Sequence, residues 1–369
     1  MQLTLEAITK QVGQETHLYE MSLELNPGLN VLLGQTLAGK TSLMRVMAGL
    51  DRPSSGRLLL NGQDITGVNV RKRSVAFVYQ QFINYPSLSI FENIASPLRV
   101  QGGLSKDEIK TRVHDIAQIM HIDMLLDRLP AELSGGQQQR TAIARALIKG
   151  ADLLLMDEPL VNLDYKLREE LRVEMRNIFA ERDAIVVYAT TEPEEALMLG
   201  GQTVVLDKGE LLQTGPTLEV YHHPATLRVG EVFSDPPMNI LRAELKADKM
   251  HLSQTVSFSL PEHMQGLAPG PYALGVRANH ADVKTYGEQS VALPATVELA
   301  EISGSETFLH VDHKEADGAQ FRVVAQLEGV HSYDLAQQVT LHLNPNRLFA
   351  FTPDGQLAAS PSRTVLAPT

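Results

Sequence analysis

An α/β sheet with a helical insertion, followed by a separate all-β domain, is the fold class predicted by three features of these 369 residues. The first is a series of short aliphatic runs, at residues 29–33, 74–79, 153–156, 185–189 and 203–206, spaced by helical stretches. Alternation of this kind belongs to a sheet buried on both faces. The second is a change of character after Phe233, where Asp235-Pro236-Pro237 breaks the chain and short alternating segments follow. The third is length, which is too great for one ordinary core and fits two. The boundary is expected near residue 235, giving parts 1–234 and 235–369.

Each element has a local reason. Pro27-Gly28 makes a turn, and the strand Leu29-Asn30-Val31-Leu32-Leu33 runs straight into Gly34, ahead of an apolar helix at 42–48. Between the strands at 74–79 and 153–156 lies a helical subdomain of about residues 88–150. There Ser105 and Glu108 make a capping box, and Ile109, Val113, Ile116, Ala117 and Met120 keep helical spacing. In the last third come short alternating segments, such as 292–299 and 321–327, separated by Gly, Pro and Asn, which suits a small barrel or sandwich. Residues 358–369, rich in Ser, Pro and Ala, are expected to be loosely ordered.

Composition removes several function classes. Hydrophobic content of 43% and charged content of 21% belong to a globular protein. No apolar run approaches the roughly 18 residues needed to cross a bilayer, and the N-terminus lacks a secretory pattern, so a cytoplasmic location is expected. With no cysteine, disulfides and thiolate metal sites are excluded. The formal charge is −12. Residues 235–369 hold 9 Lys+Arg and 15 Asp+Glu, leaving 23 and 29 for the rest, so both parts carry −6. Neither has the cationic footprint of a nucleic-acid binder or a polybasic membrane-surface segment.

Gly34-Gln35-Thr36-Leu37-Ala38-Gly39-Lys40-Thr41 matches the P-loop pattern and sits after a strand and before a helix, the context that pattern requires. Backbone N–H groups of the loop and of the first helical turn, which includes Ser42, are expected to cradle phosphates; Lys40 reaches the outer ones and Thr41 ligates Mg²⁺. ATP with Mg²⁺ is the expected ligand pair. A plain glycine turn is the alternative, and the strand–loop–helix context weighs against it. Leu153-Leu154-Leu155-Met156-Asp157-Glu158 is an aliphatic strand ending in two carboxylates, where a P-loop enzyme needs Asp157 to hold Mg²⁺ and Glu158 to polarise the attacking water.

Leu133-Ser134-Gly135-Gly136-Gln137-Gln138-Gln139-Arg140 combines a good N-cap with two glycines that let a phosphate approach the helix start. With this segment the sequence resembles the ATP-binding cassette (ABC) transporter family. The resemblance covers essentially the whole chain and is closest to the importer ATPases of carbohydrate and polyol uptake, those of maltose importers among them. It implies that Ser134, Gly135, Gly136 and Gln137 face the P-loop of a second ATPase subunit. It also implies that Gln80 contacts Mg²⁺ and the attacking water, and that residues 81–92 form a groove for a coupling helix of the membrane subunits. Pro237-Met238-Asn239, Gly275-Val276-Arg277, Gly304-Ser305-Glu306-Thr307 and Asn344-Pro345-Asn346-Arg347 resemble the transport-associated OB-type domain.

Three positions depart from the family pattern. Val12, in Thr9-Lys10-Gln11-Val12-Gly13, stands where an aromatic ring usually stacks on adenine. An uncompensated loss of stacking, on the order of 1–3 kcal/mol, would weaken nucleotide binding roughly tenfold or more. Thr191 stands where a histidine usually touches the γ-phosphate and would carry that catalytic contact through a shorter hydroxyl without a proton that titrates near neutrality. Val161, ahead of Asn162-Leu163-Asp164, replaces a common serine and reads as drift. Weakened chemistry in this chain's own site and compensation elsewhere, Tyr19 being one candidate, are both open on the sequence.

The expected function is ATP hydrolysis coupled to solute import, at the cytoplasmic face of the membrane. The implied partners are two membrane-spanning permease subunits, a second ATPase subunit and, indirectly, an extracytoplasmic solute-binding protein. Sugars or polyols such as glycerol are favoured by resemblance, and Thr190-Thr191-Glu192-Pro193 points to glycerol importers with two different ATPases. The alternative from another class is a nucleotide-binding regulatory subunit with a degenerate site, paired asymmetrically with an active ATPase.

Overall fold

The computed structural model describes residues 1–362 apart from Phe82, Asn162, Glu181, Arg182, Glu288, Ala316, Asp317 and Ala319. The expected tail therefore lies largely outside the described residues, as do Phe82 in the groove segment and Asn162 after the acidic strand. The chain divides into two compact units, Met1–Thr217 and Leu218–Thr369.

The first unit opens with β1 (Leu3–Val12), β2 (Glu15–Leu25), β3 (Gly28–Leu33), α1 (Lys40–Ala48), β4 (Ser55–Leu60), β5 (Gln63–Asp64) and β6 (Val75–Val78). It continues through α2 (Ile90–Gln101), α3 (Lys106–Ile119), α4 (Gly135–Ile148), β7 (Leu153–Asp157), α5 (Tyr165–Ala180), β8 (Ile185–Thr190), α6 (Pro193–Leu199), β9 (Gln202–Asp207) and β10 (Glu210–Pro216). Five predicted aliphatic runs become β3, β6, β7, β8 and β9. They lie in a six-stranded sheet of order β10-β9-β3-β8-β7-β6, in which β3 pairs in parallel with β8 and β9, and β7 with β6 and β8. Every described residue of β7 and β8 is buried, which is why these strands read as continuous apolar runs.

A second sheet, of order β2-β1-β4-β5 with antiparallel pairing, closes over α1. Leu3, Leu5 and Leu23 from it, Leu43 and Met47 from α1, and Leu32, Leu155 and Val187 from the larger sheet share one core. Along β2, Met21-Ser22-Leu23-Glu24-Leu25 alternates buried and exposed side chains; register shifts along β1 interrupt the matching pattern in its partner.

In the helical insertion α2, α3 and α4 start from serine caps. Ser105 N–H donates to Glu108 Oε2 at 2.7 Å and Glu108 N–H to Ser105 Oγ at 3.2 Å, forming the expected capping box. Ser134 and Gln137 make a second box at the start of α4.

The second unit is all-β apart from α7 (Thr217–His222), which begins at the division, α8 (Leu227–Val232) and short 3₁₀ turns. One sheet runs through β11 (Asn239–Lys246), β12 (Lys249–His251), β13 (Ser257–Ser259) and β14 (Gly270–Val276); the other begins with β15 (Ala281–Asp282), β16 (Val291–Ser303), β17 (Glu306–Lys314), β18 (Gln320–Glu328) and β19 (Gln338–Leu343). The strands β20 (Phe349–Phe351) and β21 (Leu357–Ala359) return to the first. The orders are β13-β12-β11-β14-β20-β21 and β15-β19-β16-β17-β18, antiparallel throughout, around a core that includes Leu241, Leu274, Leu293, Leu309 and Leu341. Asn239 stitches the sheets into a barrel-like body, its amide donating to Val276 O at 3.2 Å and Val324 O at 2.9 Å while its oxygen accepts from Val324 N–H at 2.7 Å.

The division falls at Thr217, earlier than the break at Asp235 suggests, because residues 218–234 pack on the β unit. Arg277 is buried, its guanidinium 3.7 Å from the ring centre of Tyr221 and 4.8 Å from that of Phe349, and its Nη2 donates to Tyr221 O at 2.6 Å. Burial pushes this guanidinium down to about 10. Leu227 packs on Met238, Phe349 and Phe351, and Phe233 is fully buried. A chain ending at Thr217 should therefore be monodisperse and melt cooperatively. One ending at Ser234 should bind a hydrophobic dye, because its two extra helices lose their cover; each large side chain uncovered costs about 1.5–3 kcal/mol. Equal dye binding by both truncations would move the division.

Candidate active site at the P-loop

The loop between β3 and α1 is shaped by two glycines. A Cβ on Gly34 would lie 2.4 Å from Leu206 O, so the backbone of β9 passes too close for any side chain. Gly39 has φ of +99°, in the left-handed region, and caps α1 without a side-chain acceptor, leaving the N–H groups of the first turn free to meet an anion.

Lys40 is buried and turned into the loop, with Nζ donating to Gly34 O at 2.6 Å and Gln35 O at 3.1 Å and lying 3.3 Å from Glu158 Oε1. Burial lowers its pKa, and the carboxylate of Glu158 opposes that shift. Thr41 Oγ1 donates to Asp157 Oδ2 at 2.7 Å. Asp157 is raised by burial, with the Thr41 hydrogen bond acting the other way. Gln80, just after β6, donates from Nε2 to Glu158 Oε2 at 3.0 Å. Glu158 has φ of +46°, a costly conformation for a residue with a side chain, and its N–H is held by Ala189 O at 3.1 Å. β3, β6 and β7 thus deliver Lys40, Gln80 and the adjacent Asp157 and Glu158 to one place, at the carboxyl ends of parallel strands.

Lys40, Gln80 and Glu158 border an open cleft of about 690 Å³, lined also by the rest of residues 36–42 and by Glu15, Thr16, His17 and Lys208. The last four carried no pattern of their own in the sequence. They arrive because Tyr19 N–H donates to Gly209 O at 2.9 Å and Gly209 N–H to Ala38 O at 3.0 Å, tying β2 and the β9–β10 turn to the loop.

Other predicted residues lie elsewhere. Val12 sits half-exposed at the tip of the β1–β2 hairpin, paired with Glu15, and does not line the cleft. Ser134, Gly135, Gly136 and Gln137 begin α4 and do not line it either. Thr191 follows β8 outside the lining, in a turn pinned from behind by ionic contacts. Arg172, on α5, donates to Glu192 at 2.8 Å and to Glu195 at 2.9 Å, and Thr190 donates to Glu195, whose carboxylate is buried. Sequence reasoning missed this network, since an Arg on α5 and glutamates at the start of α6 carry no spacing signal.

Among the described residues no group of three or more His, Cys, Asp or Glu could hold a metal ion. Beyond the site, a groove of about 530 Å³ is lined by Phe77, Tyr85, Leu88, Pro97, Val100 and Arg145, among others. Asn84 in the groove segment donates to Gln138 O at 2.8 Å, linking that segment to the first turn of α4.

Residues 18–161 match the ABC transporter family and residues 274–351 the TOBE domain family. The xylose/arabinose import ATP-binding protein XacJ of Haloferax volcanii is 32% identical over 358 residues, 95% of this chain and 93% of that protein. The sn-glycerol-3-phosphate import ATP-binding protein UgpC of Psychromonas ingrahamii is 34% identical over 358 residues, 95% of this chain and 94% of its own length. Among solved structures, the dimeric post-hydrolysis ATP-binding cassette MJ0796 bound to ADP and Pi matches with a TM-score of 0.53 and 27% identity, covering 58% of this chain and 98% of that one. This chain belongs to the ABC transporter family, as an ATPase whose hydrolysis is coupled to transport and whose cassette is followed by a TOBE domain.

Proposed function

We propose that the chain is the ATP-hydrolysing subunit of an importer for a sugar or a polyol-type solute such as glycerol or a glycerol phosphate, working at the cytoplasmic face of the membrane. The observation that carries the reading is the convergence of Lys40, Gln80, Asp157 and Glu158 at the P-loop. The solute class rests on the import proteins named above. Those relatives are import ATP-binding proteins, and they lend no support to a degenerate regulatory subunit.

In the proposed mechanism the ATP phosphates take the N–H groups of the loop and of the first turn of α1, and Lys40 redirects its ammonium from Gly34 O and Gln35 O to the outer phosphates. Glu158, steadied by Gln80, accepts a proton from water as the water oxygen attacks the γ-phosphorus and the bond to the β-phosphate oxygen breaks, leaving ADP and phosphate. The donor set fits Mg²⁺: Thr41 and Asp157 present adjacent hard oxygens, and Asp157 is a buried carboxylate suited to a cation. Bound there, with Gln80 nearby, the ion would neutralise charge on the transferring phosphoryl group.

The signature Ser134 to Gln137 stands clear of this chain's own cleft, so a second ATPase subunit is needed to bring a signature to each P-loop. No helix among the described residues is long and apolar enough to cross a membrane. The coupling helices of a permease pair are assigned to the groove beside Tyr85. Asn84 then ties that groove to α4 and the signature. The test is uptake into proteoliposomes holding this chain and its membrane subunits. ATP-dependent uptake of a sugar or polyol supports the reading, and nucleotide turnover with no response to any membrane subunit counts against it. Full uptake with no second, different ATPase would also dispose of the asymmetric pair.

A further inference from the structure

The cleft is larger than its phosphate cradle, and the remaining wall consists of Glu15, Thr16, His17 and Lys208. A nucleotide with its outer phosphates toward Lys40 and Glu158 must lead its sugar and base out along this wall. Of the four residues only His17 carries a flat π-face. Val12 and Tyr19 do not line the cleft; both are half-exposed, Tyr19 lying two residues further along β2.

We propose that His17 is the base-recognition residue of this site and supplies the aromatic surface missing at position 12. The inference rests on the ATP-binding reading above. The ring is held from the helix side, its Nδ1 lying 3.3 Å from Ser42 Oγ in the first turn of α1. Its backbone is held from the loop side: His17 O lies 3.1 Å from where a Cβ on Gly39 would stand and 2.6 Å from the corresponding point on Gly209. Ala38, Gly209 and Tyr19 extend this into a continuous set of backbone hydrogen bonds. The imidazole therefore keeps a set distance from the phosphate cradle, as a base platform must. Its other nitrogen, Nε2, lies 3.8 Å from the exposed carboxylate of Glu15, and the His17 side chain stays 37% exposed in the cleft wall, within reach of a ligand. Because a stacking platform reads every base by its π-face, His17 contributes affinity for a nucleotide over bare phosphates.

The test compares equilibrium binding of Mg·ATP and of inorganic tripolyphosphate to the full-length chain. His17→Ala should weaken ATP roughly tenfold or more, the loss expected for one stacked base, and leave tripolyphosphate unchanged, which also shows an intact loop. His17→Phe should retain most of the ATP affinity, and Tyr19→Ala should change neither ligand. The inference is overturned if His17→Ala binds ATP as the wild type does, if it loses both ligands equally, or if Tyr19→Ala reproduces the loss. Failure of the unsubstituted chain to bind ATP would instead sink the ATP reading and this inference with it.

Discussion

Glu158→Gln should bind Mg·ATP and scarcely hydrolyse it, with turnover falling about a thousandfold, within the range general bases contribute. The amide keeps the size of the carboxylate and can still meet Gln80, which donates at 3.0 Å, but it no longer accepts a proton from water. The left-handed backbone at φ of +46° is unchanged by the swap, so the fold should survive. Replacing Glu158 also removes the partner 3.3 Å from Lys40, which frees the ammonium for phosphate and should leave ATP affinity equal or higher. Steady-state phosphate release and equilibrium nucleotide binding separate the two effects. Turnover close to that of the wild type would remove Glu158 from the base role.

Lys40→Ala should lower ATP affinity about a hundredfold or more, since each hydrogen bond to a charged group is worth about 1.5–3 kcal/mol and the ammonium is placed to make two. The structure shows how the ammonium is poised for this contact. Lys40 is held inside the loop by Gly34 O and Gln35 O, and burial already lowers its pKa, so its charge comes to phosphate with little water left to shed. Calorimetry with ATP, alongside a thermal melt to confirm folding, is the measurement. Unchanged affinity in a folded variant would sink the phosphate-binding assignment of the loop. With Glu158→Gln, this variant distinguishes a site that fails to bind from one that binds and fails to react.

Much of this chemistry was legible in the chain because it is local. A P-loop is a strand, a glycine-bounded turn and a helix start in one short segment, and the carboxylates of Asp157 and Glu158 follow directly on the strand that positions them. Serine caps at Ser105 and Ser134 likewise depend on residues three places apart, so the helices beginning there could be read from spacing alone. The aliphatic strands were readable because both faces are buried and no polar residue needs to interrupt them.

What only the tertiary structure decided involves residues far apart in the chain. His17 reaches the cleft because β2 is hydrogen-bonded to a turn near residue 209, and no periodicity in either segment encodes that meeting. The Arg172–Glu195 pair behind Thr190 forms where α5 and α6 converge. The division at Thr217 follows from Arg277 seating between Tyr221 and Phe349, whereas the chain's own punctuation is the proline pair after Asp235. Sequence alone marked the groups proposed to react, since backbone geometry over a few residues brings them to the loop. Packing between distant segments determined which side chains surround them, since burial and hydrogen-bond satisfaction are properties of the whole folded unit.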